Sequence, residues 1–400
     1  MENSRKKIMI LGASVLQTPG IKKAKEMDLE IFSVDMDPSA EGFEFADHQL
    51  VISTIDIPNI LQAAKECKID GIMTLATDMP MRAVATVAEE MGLVGISVNS
   101  ALKATNKAMM RVCLKENGVP VPDFYKVSSF DEYKEVVRKF TKPFIVKPAD
   151  SSGSRGIYLI DNLDDLELIY NAYKYSHEFS RCGDVVVEEY MRGKEVSVET
   201  LSVNGEVTVL QITDKITTGA PYFVEMGHSQ PTRHSSEIAE RISEVAIAAV
   251  KAIGIENGPS HTEIMVTEDG PKIVEIGARM GGDCITTHLV PLSTGIDMVK
   301  NTICIALGDE TDIVPKFSKG SAIRYFNVPK GVIKTIENVA EAESIEGVRQ
   351  ISFVKNIGDN VTEINSSGAR VGFVIAQGDT ADDAIEICEK AINTIKITVE

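Results

Sequence analysis

The stretch "HTEIMVTEDGPKIVEIGARMGGD", His261 to Asp283, sets two carboxylates, Glu263 and Glu275, in apolar, β-branched segments separated by a turn. Residues His261 to Val266 and Lys272 to Ile276 read as strands, and Glu268-Asp269-Gly270 reads as their loop, with glycine where a positive φ is needed. With that loop, Thr267 pairs with Pro271, and counting back sets Glu263 directly opposite Glu275 on one face. Like charges so placed repel unless a proton or a cation lies between them. A hard divalent cation fits, because magnesium takes oxygen ligands and is held by one or two carboxylates together with nucleotide phosphates. The competing reading is a hairpin one register off, whose glutamates face water.

A second group of residues could hold those phosphates. Lys147 lies in the alternating segment "FIVKP", with Phe144 and Val146 on one face and Ile145 and Lys147 on the other. A lysine on such a face needs an anionic partner. The following "ADSSGSRG" offers small residues, Ser151, Ser152, Gly153, Ser154 and Gly156, whose amides can bend around phosphate oxygens, and Arg155 adds charge. A surface hairpin with a snorkelling lysine is the alternative. Next, "VVVEEYMRGKE" could line an adenosine pocket: the backbone at Glu189, Tyr190 and Met191 would face the adenine edge, and Glu195 would accept hydrogen bonds from ribose hydroxyls.

These segments must be positioned by regular elements. Residues 6 to about 100 alternate strand and helix patterns: "KKIMILGAS", "LEIFSVDMD", "GIMTLA" and "GLVGIS" read as strands, with helices such as Ile57 to Cys67 and Met81 to Met91 between them. That is a small doubly wound α/β domain. Gly12-Ala13-Ser14 lacks the full G-x-G-x-x-G, so Asp35 reads as a loop aspartate and not a ribose ligand, and Asp78 before Met79-Pro80 reads as a helix cap. A helix pattern follows from Ala101 to Gly118, then an α+β region in which Asn204-Gly205 marks a type I′ hairpin and residues Ser236 to Ala252 form a helix. From about Gly320 short strands and the amphipathic "TADDAIEICEKAINTI" read as a closing α+β domain.

The chain as a whole sets the class. At 400 residues it exceeds one ordinary core, and 44% hydrophobic with 25% charged residues is a globular composition. A net charge of −18 argues against a nucleic-acid partner and for a small molecule. Cys67, Cys113, Cys182, Cys284, Cys304 and Cys388 form no C-x-x-C, which fits a reducing cytoplasm. Lys6-Lys7 before "IMILGASVL" begins a strand and not a signal peptide, since no small-residue cleavage site follows, and no apolar run reaches the roughly 20 residues that span a bilayer.

Taken in order, Lys107 in "TNKAMMR", Lys147, the loop 151–156, "EEYMRGKE", and Glu263 with Glu275 followed by Arg279 resemble the ATP-grasp superfamily of carboxylate–amine ligases over nearly the whole chain. The resemblance implies a pre-ATP-grasp α/β domain at 1–100, ATP-grasp subdomains at 101–185 (phosphate loop) and 186–319 (magnesium site), and a C-terminal α+β domain at 320–400. It implies an acyl phosphate formed from ATP and captured by an amine. Lys107 and Lys147 would contact the phosphates, Glu188 would lie near the adenine amino group, and Glu195 would hold the ribose. Glu263 and Glu275 would bind magnesium, with manganese as its substitute. Arg279 would stabilise developing charge while Gly281-Gly282 let backbone approach the substrate. One departure concerns Gly277, where many members carry asparagine and a further metal ligand. "EMGHSQP" and the C-terminal portion look most like the branch that joins L-amino acids, with His228 in the substrate pocket or else an ordinary loop histidine, and Arg324 either reaching a substrate carboxylate or standing at a domain edge. Phosphoribosylamine–glycine ligase is the rival, although "LGASVLQTPG" lacks its glycine-rich stretch; biotin-dependent carboxylases are more distant. A non-catalytic ATP-binding protein is the alternative of another class. The expected partners are small carboxylate and amine substrates, with no nucleic acid or membrane, and a homodimer is the default assembly.

Overall fold

The computed structural model describes residues 5–151, 153, 155–220 and 222–400; Ser152 and Ser154 of the expected phosphate loop lie outside them. The N-terminal region forms a parallel sheet from β1 (Lys7–Leu11), β2 (Glu30–Asp35), β3 (His48–Val51) and β4 (Gly71–Thr74), in the order β3-β2-β1-β4. Ile8, Met9, Ile10 and Leu11 are all fully buried, the continuous apolar run expected of a parallel strand covered on both faces. The polar, largely exposed β3 was not legible as a strand; it pairs at the edge with β2. Conversely, Gly92–Ser97 is no strand. Gly92 stops helix Met81–Met91 at φ +66°, and the Ser97 side chain caps the next helix, Val98–Thr105. The single helix expected from Ala101 is thereby two: Asn106 leaves helical geometry and caps helix Lys107–Glu116 by accepting from the Met109 amide at 3.0 Å.

A second sheet, ordered β5-β8-β6-β7, holds β5 (Phe124–Val127), β6 (Phe144–Pro148), β7 (Tyr158–Ile160) and β8 (Val185–Glu189). Phe144 and Val146 enter its core with Tyr133 and Tyr173, so Ile145 and Lys147 face the other way, as the alternation requires. The largest sheet takes in β9 (Lys194–Val203), β10 (Glu206–Thr217), β11 (Glu225–Gln230), β12 (Gly258–Thr267) and β13 (Gly270–Gly277). It continues without a break into β14 (Gly320–Tyr325), β16 (Val348–Phe353) and β18 (Gly372–Gly378), in the order β13-β12-β9-β10-β11-β14-β18-β16. A small separate sheet joins β15 (Gly331–Glu337), β17 (Asn360–Val361) and β19 (Lys396–Val399). Helix Ala381–Thr394 closes the C-terminal region behind a capping box of Thr380 and Asp383. The mixed helices and sheets agree with the α/β and α+β classes expected from the sequence. Among the described residues no helix is long and apolar enough to cross a membrane.

Candidate active site

The β12–β13 hairpin brings Glu263 opposite Glu275, but by another route than the loop count suggests. Thr267 pairs with Gly270, so the connection is the two-residue Glu268-Asp269, and Val266 pairs with Pro271. That register alone would oppose Glu263 to Val274. An irregularity after Glu263 leaves Val274 unpaired and restores the two glutamates to facing positions. The bulged strand thus re-aims Glu275 into a cavity of about 1060 Å³ that collects residues from every part of the chain.

Cations answer the two carboxylates. Lys107, at the start of its helix, donates to Glu275 Oε1 at 2.8 Å and to the Ser151 carbonyl at 2.7 Å, which ties the phosphate loop to the hairpin. Glu263 accepts from Lys215 Nζ at 2.9 Å, and Lys215 also reaches Glu195 Oε1 at 2.5 Å and Glu225 Oε1 at 3.6 Å. Burial opposes the charge of Lys215, but Glu195, Glu263 and Glu225 outweigh it and hold the amine charged well above its usual range. Burial likewise disfavours ionised Glu263, yet Lys215 and His261 hold it well below the carboxylate range. His261 bonds Glu199 Oε1 at 2.7 Å through Nδ1; against the effect of burial, Glu199 and Glu263 raise the imidazole to about 9.

Lys147 and Glu188 form a buried hydrogen-bonded pair, and Arg111 Nε holds the second oxygen of Glu188 at 3.0 Å. Burial, with the Arg111 and Lys107 charges, lowers Lys147, although Glu188 pulls the other way. The Glu189 and Tyr190 amides donate to the Asp123 and Pro143 carbonyls at 2.8 and 3.1 Å, fixing the crossover from β8 into β9 beside Met191. Arg279 donates to Asp78 Oδ1 at 2.9 Å and to the Met280 carbonyl at 3.1 Å. Asp78 therefore does not cap a helix with its side chain. The amide of Met81 bonds the Asp78 backbone carbonyl, which leaves the carboxylate to reach across to Arg279.

Of the residues expected to act, Lys107, Lys147, Ser151, Gly153, Glu188, Glu189, Tyr190, Met191, Glu195, His228, Glu263, Glu275, Arg279 and Gly282 line this one cavity. Gly156 and Gly281 do not: Gly156 stands at φ +78° with Pro148 2.7 Å from where a Cβ would lie, and a Cβ on Gly281 would lie 2.7 Å from His261, so backbone conformation at the first and packing at both call for glycine. Arg324 also stays outside, buried and donating to the His228 and Ile323 carbonyls at 3.0 and 2.9 Å. His228 is a buried strand residue on β11 with Nε2 at 3.4 Å from Asp283, which Arg370 clamps with two bonds of 2.7 and 2.8 Å.

Lys215, Asp78, Arg111 and Arg370 were missed in the sequence. A signal existed for Lys215: like Lys147, it is a lysine in an apolar, alternating strand. The ion pairs of the others join residues 77 to 201 apart in the chain, which no local pattern reports.

The donor set suits a hard cation. Among the described residues no group of three or more His, Cys, Asp or Glu side chains is poised for a metal. Two facing carboxylates are nonetheless the protein share that magnesium takes when phosphates and waters complete its shell.

Residues 140–287 match the family described as ATP-grasp domain, and residues 324–400 match L-amino acid ligase C-terminal domain 2. The chain is 28% identical to an L-arginine-specific L-amino acid ligase of Bacillus subtilis over 69% of this chain and 67% of that protein. It is 23% identical to a phosphoribosylamine–glycine ligase of Methanococcus maripaludis over 98% and 94% of the two chains. Its fold superposes on an L-amino acid ligase from Bacillus licheniformis with a TM-score of 0.83 at 22% identity, covering 100% of both chains. An ATP-grasp domain followed in the same chain by an L-amino acid ligase C-terminal domain places this protein among the ATP-grasp carboxylate–amine ligases.

Proposed function

We propose that this ATP-dependent ligase joins two L-amino acids into a dipeptide, releasing ADP and phosphate. One observation favours this over phosphoribosylamine–glycine ligation. The part of the cavity wall built by the N-terminal domain, from Gly12 to Pro80, contains no lysine, arginine or histidine among the described residues, and its charged members, Asp35 and Asp78, are acidic. That wall therefore offers a sugar phosphate no cationic side chain of its own. The C-terminal domain, of the kind found in L-amino acid ligases, adds Ser367, Gly368 and Arg370 to the cavity lining.

In this reading Lys107 and Lys147 contact the nucleotide phosphates beneath the Ser151–Gly153 loop. Glu188, bonded to Lys147, lies near the adenine amino group, the backbone of Glu189, Tyr190 and Met191 faces the adenine edge, and Glu195 holds the ribose. Glu263 and Glu275 hold magnesium, or manganese in its place, and the ion when bound neutralises phosphate oxygens. A substrate carboxylate oxygen attacks the γ-phosphorus and ADP leaves with the electrons of the broken P–O bond. The amine of the second substrate then attacks the acyl carbon, phosphate departs with the C–O electrons, and the amine proton passes to solvent. Arg279 stabilises the oxygen charge that builds in both steps, with His228 and Gly282 against the substrate. Substrates filling the cavity would keep water from the acyl phosphate. The free cysteines fit a cytoplasmic setting, and a twofold homodimer is the assembly we expect.

The test is phosphate release from Mg-ATP with pairs of L-amino acids, run beside glycine with phosphoribosylamine. Release with amino-acid pairs and a dipeptide mass is the expected result; release only with phosphoribosylamine overturns the reading. Lys147→Met should raise the KM for ATP at least about tenfold, the scale of one charge-assisted hydrogen bond. An unchanged KM would place the phosphates elsewhere.

A further inference from the structure

We propose that the arm of the cavity inside the N-terminal domain is the side-chain pocket of the carboxylate-donating amino acid, and that it accepts a large apolar side chain such as that of leucine, methionine or phenylalanine. The inference rests on the amino-acid ligase reading above.

The arm lies where the carboxyl ends of β1, β2, β3 and β4 converge, and the order β3-β2-β1-β4 reverses direction between β1 and β4, the usual place for a ligand crevice in an open parallel sheet. Its rim is apolar. Val15 is 67% exposed, Leu16 43%, Met36 70% and Ile55 47%, and all four line the cavity. Large apolar side chains left open together around one concavity, and not scattered singly, mark a surface built to be covered by an apolar group. The carboxylate and the amide beside them are already committed, and Ser53 and Thr54 add only neutral hydroxyls. Asp35 accepts from the Ala13 and Asp37 amides at 2.8 and 3.0 Å, and Gln17 donates to the Leu75 carbonyl at 2.7 Å while accepting from Ser14 at 2.7 Å. What this arm offers a ligand is therefore chiefly hydrocarbon.

The arm meets the chemistry at Asp78 and Arg279. A donor amino acid keeps its ammonium protonated through both steps, so it needs a standing counter-charge next to the group that receives its carboxylate. Asp78, with Arg279 at 2.9 Å, supplies that arrangement: ammonium on Asp78, carboxylate toward Arg279, side chain toward Leu16 and Met36. Gly277 makes the arrangement possible, because a Cβ there would lie 2.9 Å from Asp78 Oδ1. Glycine at this position thus leaves room for the Asp78 carboxylate of the N-terminal domain.

The experiment compares donors with the full-length enzyme, Mg-ATP and L-alanine as the fixed partner, reading phosphate release and the residue order of the dipeptide by fragmentation mass. L-leucine, L-methionine and L-phenylalanine should exceed L-aspartate and L-lysine in kcat/KM by at least about tenfold and should appear as the first residue of the product. The double variant Leu16→Ala/Met36→Ala should lose at least about fivefold in kcat/KM for leucine with little change in the KM for ATP. Val15→Ala and Ile55→Ala read the same arm singly if the double variant does not fold. Dipeptide formation with the apolar residue second, or a donor preference untouched by these variants, overturns the pocket while leaving the ligase reading intact. Absence of turnover with every amino acid overturns both.

Discussion

Glu275→Gln is expected to lower kcat by about 10²–10³-fold, the scale on which one charge-stabilising group acts in a water-excluded site. The substitution keeps the shape of the side chain and removes its negative charge. Two functions are lost together: the carboxylate that faces Glu263 across the hairpin, and the counter-charge that holds Lys107 at 2.8 Å. Turnover measured against magnesium concentration should need more of the ion at half saturation. Melting temperature should change little, because removing one carboxylate also relieves the repulsion from its neighbour. A variant with wild-type kcat and an unshifted magnesium requirement would remove Glu275 from the metal assignment.

Lys215→Met should have the largest effect on stability, a loss of about 3–5 kcal/mol, as when one member of a buried ion cluster is deleted. The Lys215 side chain is 3% exposed, and its amine is the shared counter-ion of Glu195, Glu225 and Glu263. Methionine fills similar volume but leaves three carboxylates facing one another, so they must take up protons, admit water or move apart. The melting temperature should fall by several degrees and activity should collapse with it. Lys215→Arg keeps the charge and should recover most of the stability but little of the activity, since a planar guanidinium cannot point at three carboxylates as an ammonium does. A melting temperature unchanged in Lys215→Met would mean that the glutamates are not held by this residue.

What the sequence made legible follows the range of the interactions. Lys147 was readable because period-two alternation decides which way a strand side chain points, and its neighbours Phe144 and Val146 do enter the core. The facing of Glu263 and Glu275 was inferred correctly from a loop one residue too long. The bulge at Val274 supplied the compensating residue, and bulges depend on packing that a register count does not contain. Asp78 was misread because a carboxylate before Met79-Pro80 has a local use as a cap, whereas its actual partner, Arg279, lies 201 residues away. Gly92–Ser97 shows the same limit from the other side: apolar enough for a strand, it is consumed by the stop of one helix and the cap of the next. Motifs of contiguous residues survive this filter, while ion pairs that stitch separate segments do not.

The continuous sheet has a consequence for how such enzymes can be recombined. β14 hydrogen-bonds to β11, the strand that carries His228, with His228 itself paired to Ile323, and β18 and β16 extend the same ladder. The last 81 residues are therefore not a detachable cap, because three of their strands complete the edge of the sheet that carries the site. A chimera made by exchanging everything after residue 319 would ask a foreign strand to match the twist and register of β11 before it could change specificity. A graft that retains β14 and exchanges the segment from Gly331 onward moves the seam off that pairing, leaving one ladder, β14 with β18, to be matched across the new junction.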